Sequence, residues 1–418
     1  MADWASLPAE LVRRIAHCLL YSNDLDCYMD FRAVCPNWRS ATDDPNNSTK
    51  LRFRPFRWIV VDEVSETHSR LLINTFSDRV IRKDLPLLSK YFVVAATLGG
   101  FFVLANKEPP HPAVVLNPFT GHMIRYKAAV PSYVDISGAA LSEHGSSRPQ
   151  RSSPTLILLW DSCYEQYKAV PDSDSFALDF DDEEWGRTFV SMRLAVASGM
   201  CAFDNWQTTV AVPPLPLSLV PKISYLMRLY AIDPDKMFSD KPVTAFADLP
   251  GTGDANHLFL VASDDGEVFA IIKLQQHLKV FWLDNDNRSE EVEPVKSIGD
   301  RAIFIGYRRC ISVSANKFPS IVANSAYYVK STDSSLAIYK YDLEEEKEER
   351  VSEAIDSLNQ GRLSFAKPPF TIVQLLSSYT VNVRESQLLE MEKLKRQQLP
   401  IAKVTRSDHF FWALALSY

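Results

Sequence analysis

Seven carboxylates crowd one short stretch of this chain: Asp172, Asp174, Asp179, Asp181, Asp182, Glu183 and Glu184. Grouped carboxylates are the raw material of a calcium loop. The Asp-x-Asp-x-Asp-Gly spacing and a Glu at the twelfth position are missing, so a solvated loop anchored by Trp185 is expected instead. The eight histidines are dispersed, with neither a His-Glu-x-x-His motif nor a pair at ligand spacing. Gly-x-Ser-x-Gly is absent, and the Gly-rich run Gly251 to His257 lacks the Gly-Lys-Ser/Thr of a phosphate loop. One polar pair stands out. Arg301 has the forked donors to reach a ligand, but beside it Asp300 reads as the fastener of a tight turn, through hydrogen bonds to nearby backbone N–H groups. The pair is therefore expected to be structural. No catalytic set, cofactor site or metal site is expected, and the chain is read as non-catalytic.

The net charge of −7 offers no basic field, so neither nucleic acid nor an anionic membrane is an expected partner. Six cysteines stand singly at positions 18, 27, 35, 163, 201 and 310, with no Cys-x-x-Cys pair to suggest zinc or a disulfide framework. The reducing nucleus or cytoplasm suits that usage. Asp3 and Glu10 interrupt the start of the chain, so a signal peptide is not expected. The apolar run from Phe410 to Tyr418 is too short to span a bilayer.

What the residues do offer is a binding surface. At about 100° per residue, Leu7, Leu11, Val12, Ile15, Cys18 and Leu19 share one side of a helix, and Glu10, Arg13, Arg14 and His17 the other. Pro8 suits the first helical position, and Glu10 complements the positive end of the dipole. Ser22, Asn23 and Asp24 stop this helix and cap a second, from Leu25 to Val34. Pro36 opens a third, which carries Trp38 and ends at Asp43, Asp44 and Pro45. A unit of about 40 residues without disulfide or metal rarely stabilises itself. Yet Leu7, Leu11, Ile15, Leu19, Tyr28, Phe31, Val34 and Trp38 would each contribute about 1.5–3 kcal/mol on burial. The unit is expected to complete its core against another protein.

After Pro45 the pattern turns strand-like: short runs rich in Val, Ile, Phe and Tyr, separated by turn residues. Asp264, Asp265 and Gly266 read as a hairpin, and Asn117 to Gly121 as a turn. Ala337, Tyr339, Tyr341 and Leu343 alternate with Lys340 and Asp342, predicting one apolar and one mixed face. Sustained helical periodicity is scarce, which disfavours a parallel α/β sheet. Successive hairpins over this length suit a barrel, stacked sandwiches or a propeller, the last at about 40–50 residues per blade. Val351, Ala354, Ile355 and Leu358 have helical spacing, as do Leu388, Met391 and Leu394 in the tail beyond Arg384.

Two resemblances sharpen this reading. Leu7, Pro8, Glu10, Leu11, Ile15 and Leu19, followed by Val34, Cys35, Trp38 and Arg39, resemble an F-box, with a few extra residues around Asp24 to Met29. The resemblance implies docking on the adaptor subunit of a cullin–RING (SCF-type) ubiquitin ligase through Leu7, Pro8, Leu11, Ile15, Leu19, Val34, Cys35 and Trp38. The remainder resembles the plant KIB-type β-propeller family, which commonly follows an F-box. The match lies in Gly299, Asp300, Arg301, Ala302, Phe304 and Gly306, then Cys310, Ser312, Ser314, Phe318, Pro319, Asn324 and Tyr327. Val114 to Gly121 matches an earlier segment, and Pro368 and Pro369 fall where that family's closing Pro-rich strand is expected. Where the family shows Gly-x-x-x-Gly-Trp, only Gly99 and Gly100 remain. The implied architecture is a small all-α F-box of three helices at 1–45, a linker and first strand at 46–65, a mainly-β, propeller-like domain at 66–380, and a helical tail at 381–418. The implied function is a substrate receptor holding the adaptor through its helices and a target protein on its propeller. A propeller scaffold with a vestigial F-box and a propeller hydrolase are the alternatives.

Overall fold

The computed structural model describes residues 4–45, 51–61, 68–97, 100–132, 136–142, 154–160, 166–178, 207–211, 227–232, 243–249, 257–262, 268–273, 277–283, 294–306, 310–332, 335–354, 363, 370–382 and 386–398. Three helices open it: α1 (Ala9–Tyr21), α2 (Leu25–Ala33) and α3 (Pro36–Ala41). Each boundary has a local cause. Pro8 precedes the first turn of α1 as its cap rather than lying inside it. Asn23 takes a positive φ of 54°, the left-handed conformation that closes a helix, and the Asp24 N–H returns to the Leu19 carbonyl at 2.8 Å. The Asp24 carboxylate then caps α2 by accepting from the Cys27 N–H. At α3 the Cys35 sulfur accepts from the Trp38 N–H, with Pro36 in the first turn.

The rest is a succession of sheets. Strands β1–β3 are Trp58–Val61, Ser69–Asn74 and Val80–Asp84. Strands β4–β7 are Tyr91–Ala96, Phe102–Asn106, Pro112–Leu116 and Met123–Ala129. Strands β8–β11 are Ile136–Ser142, Thr155–Trp160, Gln166–Ala169 and Ala177–Leu178. Strands β12–β14 are Gln207–Ala211, Met227–Ile232 and Val243–Leu249. Strands β15–β18 are His257–Ala262, Val268–Lys273, Leu278–Leu283 and Pro294–Val295. Strands β19–β23 are Arg301–Ile305, Cys310–Ser314, Ser325–Thr332, Ser335–Asp342 and Lys347–Ala354. The first five groups are antiparallel meanders, each strand beside its successor. The sixth has the order β20-β19-β21-β22-β23, with β19 and β21 running parallel. Two helices follow, α4 (Ile372–Val381) and α5 (Gln387–Gln398).

Apolar clusters join neighbouring sheets face to face. Val94, Val103 and Val115 of the second sheet pack with Ile136, Leu156 and Leu158 of the third, and Leu388 of α5 joins them. Phe259, Ile271 and Val280 of the fifth pack with Ile303, Tyr328 and Tyr341 of the sixth. The first and last sheets meet in a cluster holding Ile59, Val61 and Ile73 with Ala302, Phe304 and Tyr327, and α4 contributes Val373, Leu376 and Tyr379. Antiparallel sheets joined first to second, second to third, fifth to sixth and last to first among the described residues suit a propeller.

Several expectations change. Val351 and Ala354 lie on β23, not on a helix, while Ile355 and Leu358 fall outside the described residues. The charged run before them forms a turn and then the outer edge of a sheet, where Lys347, Glu349 and Arg350 remain exposed and discourage further pairing. The predicted alternation of β22 is present: Tyr341 and Leu343, with Tyr339 against them, face one cluster, while Lys340 and Asp342 are only partly covered on the other face. Ile338 on that second face joins the neighbouring cluster, so the mixed face is covered at this position as well. Pro368 and Pro369, where a closing strand is expected, lie outside the described residues; beyond them stands helix α4. Its sequence signal is a capping box: Thr371 Oγ1 accepts from the Gln374 N–H, and Gln374 Oε1 from the Thr371 N–H. The Asp264–Gly266 turn also falls outside, although β15 and β16 on either side of it pair as a hairpin.

Candidate protein-interaction site

The apolar arc of α1 divides into two faces. Val12 is buried, and Ala16, with the partly covered Leu19 and Leu20, joins a cluster that contains Leu25, Tyr28, Phe53, Trp58 and Leu72. Leu11 and Ile15 point away from it and are 44% and 40% exposed, with Cys18 also exposed one turn on. Val34, at the end of α2, is 59% exposed. Pro8 is exposed, and Leu7 and Cys35 are partly covered. An outward stripe thus remains open after the chain has folded, and the inner half of the arc rests on the chain's own first sheets.

Trp38 behaves differently from the rest of the motif. It is buried, 4.4 Å from the Phe31 ring, and its indole N–H donates to the Trp4 carbonyl at 3.2 Å. Trp38 therefore holds the helices together from within. Arg32 is buried as well and donates to the Thr42 carbonyl and hydroxyl, and Tyr28 donates to the Asp43 carbonyl, which ties the end of α3 to α2.

Trp4 and Tyr21, outside the motif, are 64% and 72% exposed at the two ends of α1. Asn23 is a further residue the motif does not contain. It is wholly buried: its side chain donates to the Arg54 carbonyl at 2.7 Å and accepts from the Arg57 N–H at 3.1 Å, and its carbonyl accepts from the Trp58 indole at 2.7 Å. Alongside, Arg79 pairs with Asp24 and Asp26, and Lys83 with Asp26. Burial works against the Arg79 cation, but the two carboxylates outweigh it and raise its pKa. The polar helix stop that reads as Ser-Asn-Asp was the available signal for this joint.

In the large domain the Gly299–Gly306 motif builds a corner. Gly299 has a φ of +68°, and the Asp300 carboxylate accepts from the Ser314 hydroxyl at 2.7 Å and the Asn316 amide at 2.9 Å. These donors are side chains; the backbone N–H of Ala315 goes to the Asp300 carbonyl. Arg301 lays its cation over the Phe269 ring of the neighbouring sheet. Ala302 and Phe304 are fully buried, Phe304 stacks on Tyr327 at 4.7 Å, and Phe318 fills the same cluster while Pro319 is exposed. Gly306 touches α4 so closely that an added Cβ would lie 2.1 Å from the Thr380 carbonyl oxygen. Cys310 is partly covered nearby, and desolvation raises the pKa of its thiol. The Asn117–Gly121 turn forms as expected, Asn117 accepting from the Phe119 and Thr120 N–H groups. Of the acidic cluster, Asp172 is exposed 3.8 Å from Lys127, and Asp179 to Glu184 lie outside the described residues. Among the described residues no His/Cys/Asp/Glu group is placed to hold a metal, and no helix is long and apolar enough to cross a membrane.

A family model described as KIB1-4 beta-propeller matches residues 72–351, well over half of the chain. The chain belongs to that family, and its large domain is a β-propeller. No curated protein matches. Among solved structures, TolB from Acinetobacter baumannii is 10% identical, with a TM-score of 0.32 over 70% of this chain; the match spans 62% of TolB, less than two thirds. YCF48 from Cyanidioschyzon merolae is 11% identical, with a TM-score of 0.29 over 72% of this chain and 89% of its own. The Cps50 (Swd1) β-propeller domain from Myceliophteria thermophila is 9% identical, with a TM-score of 0.31 over 71% and 88%.

Proposed function

We propose, from membership of the KIB1-4 β-propeller family as premise, that this protein is a substrate receptor of a cullin–RING (SCF-type) ubiquitin ligase acting in the nucleus or cytoplasm. Propeller family membership supports a protein-interaction role, and here the propeller is joined to helices with a surface of their own. The observation that carries the reading is the outward stripe of Leu11 and Ile15 on α1, left open although the same helix buries Val12 and Ala16, with Val34 exposed at the end of α2. Exposed apolar side chains on fixed helices are what a second polypeptide covers. With the F-box resemblance of Leu7 to Arg39, that polypeptide is the ligase adaptor, and the propeller carries the target protein. The receptor supplies no chemical group. It brings a target lysine near a ubiquitin-loaded enzyme and raises its effective concentration.

The purified full-length chain is expected to retain recombinant adaptor. Leu11→Asp with Ile15→Asp should reduce recovery by more than about tenfold, roughly the loss of two small hot spots. Trp38 is unsuitable for this test because its burial among the helices would confound binding with folding. Undiminished recovery by the double variant would sink the receptor reading. The inner face of α1 is already engaged with the first sheets, which favours a second reading, a scaffold whose helices serve only intramolecular packing. A wild-type chain that binds its target yet never retains adaptor would select it.

A further inference from the structure

The helices are not hung on the propeller by a tether. Asn23 is fully buried at φ +54° and reaches across to Arg54, Arg57 and Trp58, and Asp24 and Asp26 pair with Arg79 and Lys83 beside β3. The Arg57 guanidinium donates to the Tyr21 carbonyl at 3.0 Å, so the last residue of α1 is held too. Asp24 also caps α2, which means one carboxylate fixes the start of a helix and its bond to the sheet. These pairs are partly buried, with Asp24 and Asp26 side chains 14% and 18% exposed, so salt screens them less than a surface pair.

We propose that Asn23, Asp24 and Asp26, clasped by Arg79 and Lys83, make the helices and the first sheet one rigid arm. Arg79 and Lys83 are then positioning residues: they touch neither adaptor nor target and hold the Leu11–Ile15 stripe at a fixed direction relative to the propeller. The purpose of this arm rests on the receptor reading, because a fixed direction matters where a target lysine must meet a distant enzyme. The rigidity itself does not rest on that reading.

The test is a distance distribution by double electron–electron resonance. Genetically encoded spin-label amino acids replace the exposed Arg13 of α1 and Glu344 of the β22–β23 turn in the full-length chain. The wild type should give one narrow distance. Arg79→Glu with Lys83→Glu should widen it about twofold while leaving adaptor recovery within about twofold of wild type, since the stripe is untouched. Arg79→Lys, which keeps a cation beside Asp24, should restore the narrow peak to the Lys83→Glu background. A broad wild-type distribution, or a folded double variant as narrow as wild type, would overturn the proposal. If the double variant does not fold, Arg79→Gln alone takes its place under the same criterion. A narrow distance in a chain that never binds adaptor would keep the clasp and discard the receptor.

Discussion

Two glycines of one motif do different work, and their substitution separates them. Gly299 needs a φ of +68° but has open space where a Cβ would stand. Gly299→Ala should cost only about 1–2 kcal/mol, the strain of a left-handed residue with a side chain. Gly306 has an ordinary φ and no room, its missing Cβ being replaced by the Thr380 carbonyl. Gly306→Ala should cost more, about 3 kcal/mol, because a helix backbone must move. Denaturant titration of both variants checks the order; equal losses would show that α4 yields without resistance. Asp300 belongs with Gly299, since its exposed carboxylate anchors the β20 end of the corner through Ser314 and Asn316.

The α1 helix is a single stretch with two assignments. Val12 is 1% exposed, so Val12→Ala should cost about 1–3 kcal/mol. Leu11 is one position away and 44% exposed, so Leu11→Ala should change stability by less than about 0.5 kcal/mol. Adaptor recovery should rank them in reverse, with Leu11→Ala the weaker binder. Thermal melts and pull-downs on the same two variants test the crossover. If Leu11→Ala destabilised the chain as much as Val12→Ala, the stripe would be core and the interface would have to lie elsewhere.

Across the molecule, the chain's end fastens its beginning. Leu376 of α4 is fully buried in the cluster that joins β1 and β2 to β19 and β21, and Leu388 of α5 is fully buried between the second and third sheets. The Gln387 side chain also accepts the Val93 N–H of β4 at 2.8 Å, satisfying a donor on an edge strand. Leu376→Ala should therefore cost about 2–5 kcal/mol and be felt far away in sequence. Hydrogen exchange should speed up at Ile59 to Val61 as well as at Ala302 to Phe304. Faster exchange confined to α4 would mean that the helix is only an ornament on the sheets.

Local grammar in the sequence settled the three opening helices, the Asn117–Gly121 turn and the apolar arc of α1, because caps, prolines and periodicity act between residues a few positions apart. Which half of that arc faces inward was not legible. Leu11 and Val12 are both apolar and stand about 100° apart within one arc, and only the packing of the assembled chain decides which of them is covered. Val351 and Ala354 read as helical by their spacing, and only β22, lying beside them and supplying hydrogen bonds, makes them strand. Asn23 looks like an ordinary helix stop until Arg54, Arg57 and Trp58 surround it. Burial and strand pairing depend on partners distant along the chain, and those partners exist only once the sheets have assembled.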